Sequence, residues 1–156
     1  MPAHSAEKHL TASQVFEVTG VRRDTQLQWD NRGVTIPWRR DKLSNGSGDP
    51  HLKSLATIMQ LAITHELVGL HVRPKDAAKA VRKFTHEGQP GRKPGELFEH
   101  FKTVLVVTPD DASVHNVGFD ARIADVTAHH SCAVVVDLNI IVAAVTTKLS
   151  QLTKRK

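Results

Sequence analysis

Leu10-Thr11-Ala12-Ser13-Gln14-Val15-Phe16-Glu17-Val18-Thr19-Gly20-Val21-Arg22-Arg23-Asp24-Thr25-Gln26-Leu27-Gln28-Trp29-Asp30-Asn31-Arg32-Gly33-Val34 is the stretch on which the reading of the fold turns. Thr11 or Ser13 can accept a hydrogen bond from the first free amides of a helix whose apolar positions are Val15, Phe16 and Val18. Gly20 stands just past its end, where a left-handed backbone is often required. Asp24 or Thr25 then falls in the first turn of a second helix ending near Gly33, with Val21, Leu27 and Trp29 apolar. Two short helices joined through a glycine-containing turn make the helix-turn-helix geometry. The second helix is expected to expose Arg22, Arg23, Gln26, Gln28 and Arg32. Such a set suits a duplex groove, because Arg reaches guanine O6 and N7 and Gln reaches adenine N6 and N7. The bland alternative is an amphipathic surface helix that merely carries polar residues.

Downstream, Val34-Thr35-Ile36-Pro37 reads as a strand, and Pro37 confines it to an edge. Trp38-Arg39-Arg40-Asp41-Lys42-Leu43 follows as a return arm or tip, and Ser44-Asn45-Gly46-Ser47-Gly48-Asp49-Pro50 as a loop. Leu52, Leu55, Ile58, Met59, Ala62 and Ile63 recur at helical spacing, which predicts a helix from about Pro50 through Leu67, ended by Gly69. Pro74 opens another, Lys75 to Phe84, with Ala77, Ala78, Val81 and Phe84 apolar.

These residues resemble the MerR-type winged-helix DNA-binding family over about residues 9–84, roughly half of the 156-residue chain. In that family a Gly-Val opens the turn, a Thr starts the recognition helix, and an aromatic is followed by acidic and basic positions before a Gly leads into the wing. Gly20, Val21, Thr25, Trp29 and Gly33 stand at that spacing here. The resemblance implies a recognition helix and wing presenting Arg22, Arg23, Thr25, Gln26, Gln28, Arg32, Arg39, Arg40 and Lys42 to DNA, with Trp29 packed inside. The sequence also departs from the family. Phe16 stands at a usually small position, Leu27 replaces a usual Arg, and a Ser/Gly loop replaces part of the wing. Pro90 and Pro94 interrupt the long dimerising helix expected next.

Charge divides the chain in the same place. Residues 1–95 hold 15 Lys+Arg against 9 Asp+Glu, a balance of +6, whereas residues 96–156 hold 6 against 7, a balance of −1. Between them, His86-Glu87-Gly88-Gln89-Pro90-Gly91-Arg92-Lys93-Pro94-Gly95 is too rich in Gly and Pro to continue a helix or strand. The expected organisation is therefore α+β: a winged helix-turn-helix domain over 1–86, a linker over 87–100, and a small α/β domain over 101–156.

In that last part Glu96 to Phe101 reads as a short helix or linker anchor. Strands are expected over Thr103–Thr108, Val114–Phe119 and Ser131–Leu138, and Asn139 would cap a terminal helix from Ile140 to Leu152. Ile141, Ala144, Val145 and Leu149 would form its inner face. One helix covers buried strands such as Val104–Val107 and Val134–Val136 poorly. Self-association, or docking of a regulatory protein partner, would supply the missing cover, and most helix-turn-helix proteins bind as dimers.

Other classes find little support. Aromatics are 4% of residues, with no Tyr, too few for a single-strand stacking platform. The single Cys132 excludes an internal disulfide framework, and His129-His130 with Cys132 is a weak metal signal, so no metal or other cofactor is expected. No nucleophile elbow, phosphate loop or His-Glu-x-x-His is present, and Asp110-Asp111 is first of all a turn pair, so no enzyme is expected. Without an apolar run of about 18 residues or a signal pattern, a cytoplasmic location is expected. The leading function is a sequence-specific double-stranded DNA-binding transcriptional regulator acting as a homodimer through the C-terminal domain. A DNA-architectural or recombination accessory protein, excisionase-like, would make similar contacts, while a protein-interaction adaptor would show no salt-sensitive DNA affinity.

Overall fold

A computed structural model describes residues 9–38, 41–42, 51–127 and 130–154. Among them six helices and one three-stranded antiparallel sheet form an α+β architecture. The order is α1 (Ala12–Thr19), α2 (Arg23–Asn31), α3 (Leu55–Gly69), α4 (Pro74–Thr85), β1 (Lys102–Val107), β2 (Ala112–Val117), α5 (Ile123–Thr127), β3 (Val134–Asp137) and α6 (Leu138–Lys154). None of these helices is long and apolar enough to cross a membrane.

Local chemistry explains the ends of the first elements. Thr11 Oγ1 accepts the Gln14 N–H at 3.4 Å while Gln14 Oε1 accepts the Thr11 N–H at 3.0 Å. This reciprocal box satisfies two amides that the helix cannot. Gly20 closes α1 at φ +77, and its N–H donates to Phe16 O at 2.8 Å. Any side chain would strain that backbone. Pro74 begins α4, where its missing N–H costs nothing.

Two clusters of apolar side chains fill the interior. One gathers Val15, Val18, Val21, Trp29 and Val34 against Ile58 and Leu61 of α3 and Val145 of α6. The other gathers Ile63, Leu67, Val81 and Phe84 from α3 and α4 with Leu105, Val114, Val136 and Leu138. Helix α3 serves both, which is why it is buried on nearly every side from Thr57 to Thr64. The sheet order is β2-β1-β3. Its register sets Leu105 opposite Val114 and Val136, and Val107 opposite Ala112 and Val134, so these side chains share the face that joins the second cluster.

The core therefore crosses the expected boundary at 87–100. The cover that the strands need comes from α4, packed on β1 and β2, and from α6, packed on β1. The segment expected to be a spacer is instead a cap on α4. Gly91, at φ +91, turns the chain back so that Arg92 lies against the helix end, 7% exposed. Its Nη1 donates to Phe84 O at 3.1 Å and its Nη2 to Lys83 O at 2.7 Å and Glu87 O at 2.9 Å. Lys83 and Phe84 are among the last carbonyls of α4, which the helix itself leaves without a donor, and a cation there also suits the helix dipole. The guanidinium lies 5.3 Å from the Phe84 ring centroid and 6.0 Å from that of Phe98. Burial lowers the Arg92 pKa from its usual value, Glu87 opposes that shift, and the group stays a cation.

Several expected bounds move for identifiable reasons. Glu96 to Phe101 is not helical, because Phe98 is buried and its N–H donates to Thr103 Oγ1 at 2.8 Å. Strand β2 starts at Ala112, since the turn closes earlier, where Thr108 N–H donates to Asp111 O at 2.8 Å. Helix α6 starts at Leu138 rather than Ile140. Asp137 caps it by accepting the Asn139 N–H at 3.0 Å, and Asn139 instead accepts the Thr103 N–H at 2.7 Å, tying α6 to β1. Ala144, expected inside, is exposed, and Ile141, Val142, Leu149 and Leu152 pack partly buried. The short α5 has no counterpart in the sequence reading.

Candidate nucleic-acid interface

Helices α1 and α2 meet through three residues, Gly20 to Arg22, and one side chain fixes their geometry. Gln26 is 2% exposed, and its Nε2 donates to Val21 O at 2.8 Å and to Ala12 O at 3.0 Å. Its expected place facing solvent is thus incorrect, and so is the inward place of Leu27, which is 61% exposed. The physical reason is a helix phase set by Trp29 and Val21. With those two inside, position 26 faces α1 and position 27 faces out. A polar residue can occupy 26 because two backbone carbonyls wait there.

The other predicted residues of α2 fall as expected in exposure. Arg22, Arg23, Gln28 and Arg32 are exposed, and Thr25 is half-buried. Asp24 and Asn31 share the outer surface with Leu27. Asp24 lies in the first turn, where an anion is favoured by the helix dipole.

Beyond α2 the expected strand over Val34–Pro37 is absent. Trp29 O accepts both the Val34 N–H at 2.9 Å and the Thr35 N–H at 3.3 Å. The Gln60 side chain of α3 then brackets Ile36, accepting its N–H at 3.3 Å and donating to its carbonyl at 3.0 Å. A helix side chain thus takes the role of a neighbouring strand. Antiparallel pairing occurs further on, between Lys42 and Leu52 and between Leu10 and Lys53. Lys42 is exposed there, and Arg39 and Arg40 lie outside the described residues.

Sequence reasoning missed the two residues that brace this region. Asp41 accepts from the Ser54 N–H at 2.8 Å and from Thr57 Oγ1 at 2.7 Å, securing the segment to the start of α3. Lys53 is 3% exposed and its Nζ lies 2.6 Å from Asp30 Oδ2, joining the paired segment to α2. Removing one partner of such a buried pair typically costs about 3–5 kcal/mol. A lone cation inside Leu52-Lys53-Ser54-Leu55 was the available signal. Helix α4 adds two contacts: Arg82 Nη2 donates to Gly33 O at 3.2 Å, and His86 meets Trp38 edge-on with centroids 4.9 Å apart.

Burial, and then the Arg82 guanidinium, hold the His86 imidazole below its ordinary 6.5, against a smaller opposing pull from Glu87. The unfolded chain therefore takes up that proton more readily than the folded one. Stability from this site is present above about pH 6.5 and lost as pH falls towards the lowered value. Thermal melts between pH 7.5 and 5.5 should show a shallower decline for His86→Gln than for the wild type. Identical slopes would remove His86 from the account.

Among the described residues no group of His, Cys, Asp and Glu could hold a metal ion. Cys132 is exposed and His129 lies outside the described residues. A cavity of about 440 Å³ lies between α4 and the β1–β2 turn, lined by Lys79, Lys83, Asp110 and Asp111 among others. Compared with known proteins, the chain matches no family model and no curated protein.

Proposed function

We propose that the chain is a sequence-specific double-stranded DNA-binding regulator. Its residues 9–85 would act as a winged helix-turn-helix, with α2 as recognition helix and the segment paired through Lys42 as the base of the wing. The observation that carries the reading is the contrast between the two sides of α2. The inner side is fixed by Gln26, Trp29 and the Asp30–Lys53 pair, while the outer side presents Arg22, Arg23, Gln28, Asn31 and Arg32 to solvent. A groove-reading helix needs both properties, since base contacts require fixed donors and phosphate contacts require free cations.

The division of labour follows from side-chain chemistry. Gln28 and Asn31 carry the paired donor and acceptor that adenine presents, and Arg22 and Arg23 reach guanine or phosphate. Leu27, otherwise an unexplained apolar side chain in water, suits a thymine methyl group. Lys42 and Arg32 would neutralise phosphates and release counterions. Arg39 and Arg40 belong to the same proposal through their sequence position. Affinity for labelled duplexes measured against salt tests it: the logarithm of the binding constant should fall linearly with the logarithm of salt concentration. An affinity indifferent to salt would favour a protein-docking role for the same face.

A further inference from the structure

The cavity of about 440 Å³ between α4 and the β1–β2 turn has an apolar floor and charged walls. Ala80, Val107 and Ala112 form the floor, all buried. One wall is a stripe of α4 that includes Asp76, Lys79 and Lys83, and the other is the turn, with Asp110 and Asp111. Positions three and four apart share one face of a helix, so the stripe runs along the cleft. The turn is equally well fixed. Thr108 Oγ1 accepts the Asp111 N–H at 3.1 Å and donates to the Asp111 carbonyl at 2.9 Å, and the Thr108 N–H donates to that carbonyl at 2.8 Å.

Most charges around this cleft are already matched. Arg73 Nε donates to Asp76 Oδ2 at 2.7 Å, Lys83 Nζ lies 3.4 Å from Glu87 Oε2, and Arg82 Nη2 donates to Gly33 O. Lys79 on one wall and Asp110 and Asp111 on the other are exposed, and among the described residues their side chains have no ion-pair or hydrogen-bond partner. The cleft thus offers a free cation and free carboxylates from opposite sides of one apolar floor. A simple anion drawn to Lys79 would be repelled by the carboxylates, and a simple cation would meet the reverse. A molecule carrying both charges suits both walls at once, with its carbon skeleton on the floor.

We propose that this cleft binds a small zwitterion, a free amino acid, with its carboxylate on Lys79 and its ammonium on Asp110 and Asp111. The volume falls in the range of small-molecule sites, roughly 300–1,000 Å³. Walls held by a helix and a hydrogen-bonded turn need little ordering on binding, which favours affinity. The inference does not rest on the DNA-binding reading, and its test uses no DNA.

Calorimetric melts of the full chain with each protein-forming L-amino acid, and with 4-aminobutyrate, provide that test. At about ten times its Kd, a bound amino acid should raise the melting temperature by about 3–6 °C. Titration calorimetry should then show affinity weakened about tenfold or more by Lys79→Gln, and likewise by Asp110→Asn combined with Asp111→Asn. These side chains are exposed and unpaired, so the melting temperature without ligand should move by no more than about 2 °C. If no amino acid stabilises the chain, the proposal is overturned. An equal response to sodium phosphate or to putrescine also overturns it, because the cleft would then be a simple ion site. Binding untouched by both sets of substitutions does so too, since the amino acid would lie elsewhere.

Discussion

Phe84→Ala is expected to destabilise the whole chain by about 3–5 kcal/mol, against the roughly 5–15 kcal/mol that holds a typical domain together. Phe84 is fully buried, and its cluster contains Ile63, Leu67 and Val81 on one side and Leu105, Val114 and Leu138 on the other. Its ring also supports the Arg92 guanidinium. Truncation therefore removes contacts across the sheet and opens a cavity beside the Arg92 guanidinium. The informative part is cooperativity. Both tryptophans, Trp29 and Trp38, lie before residue 86, so their fluorescence reports the helical part while amide infrared reports the sheet. One shared transition, displaced to lower temperature by the same amount for both probes, is the expected result. Two separated transitions, with the tryptophan signal unmoved, would show that the parts fold independently after all.

Replacing Arg22, Arg23, Arg32 and Lys42 together by alanine should nearly abolish duplex binding at physiological salt while leaving the melting temperature almost unchanged. All four are exposed, and exposed cations contribute little to stability. Each phosphate contact removed should lower the salt slope by about one unit. Gln26→Ala supplies the opposite pattern. It leaves the Val21 carbonyl without its donor, removes a second donor from the Ala12 carbonyl, and should cost roughly 2–3 kcal/mol of stability, with the remaining folded protein binding normally at low temperature. Fluorescence anisotropy with labelled duplex, paired with thermal melts, separates the two cases. If Gln26→Ala lost affinity without stability, position 26 would belong to the DNA-facing surface as the sequence first suggested. If the quadruple variant kept its salt slope, the proposed interface would be wrong.

Much of the fold was legible because short-range chemistry wrote it. The Thr11 cap, the Gly20 turn, the Pro74 start and the β-branched run at Thr103–Val107 each signal themselves within a few residues. Two kinds of information were hidden. Helix phase over nine residues depended on whether Gln26 or Leu27 faced inward, and hydropathy favours Leu27. Only the carbonyls of Ala12 and Val21, brought there by the tertiary fold, reverse that choice. Similarly, Gly88, Pro90, Gly91 and Pro94 say that regular structure stops, but composition does not distinguish a spacer from a tight cap. That distinction rests on Arg92 finding the end of α4, a contact whose partners only the folded chain assembles. Within the candidate interface the exposed cations were readable, whereas the braces Asp41 and Lys53 were not, because the partners they tie together lie 13 or more residues away.

The capped segment after α4 bears on how a pair of these chains would measure a DNA site. Modules on a slack tether accept half-sites at varied spacing, since the tether takes up the difference. Here Arg92 clamps the turn to α4, and Arg82 of the same helix reaches the carbonyl of Gly33 just beyond α2. Helix α2 is thereby gauged from the sheet with no slack in between. A dimer built on that frame would read distance along the duplex as strictly as it reads bases, and one inserted base pair between half-sites would be rejected as firmly as a mismatch.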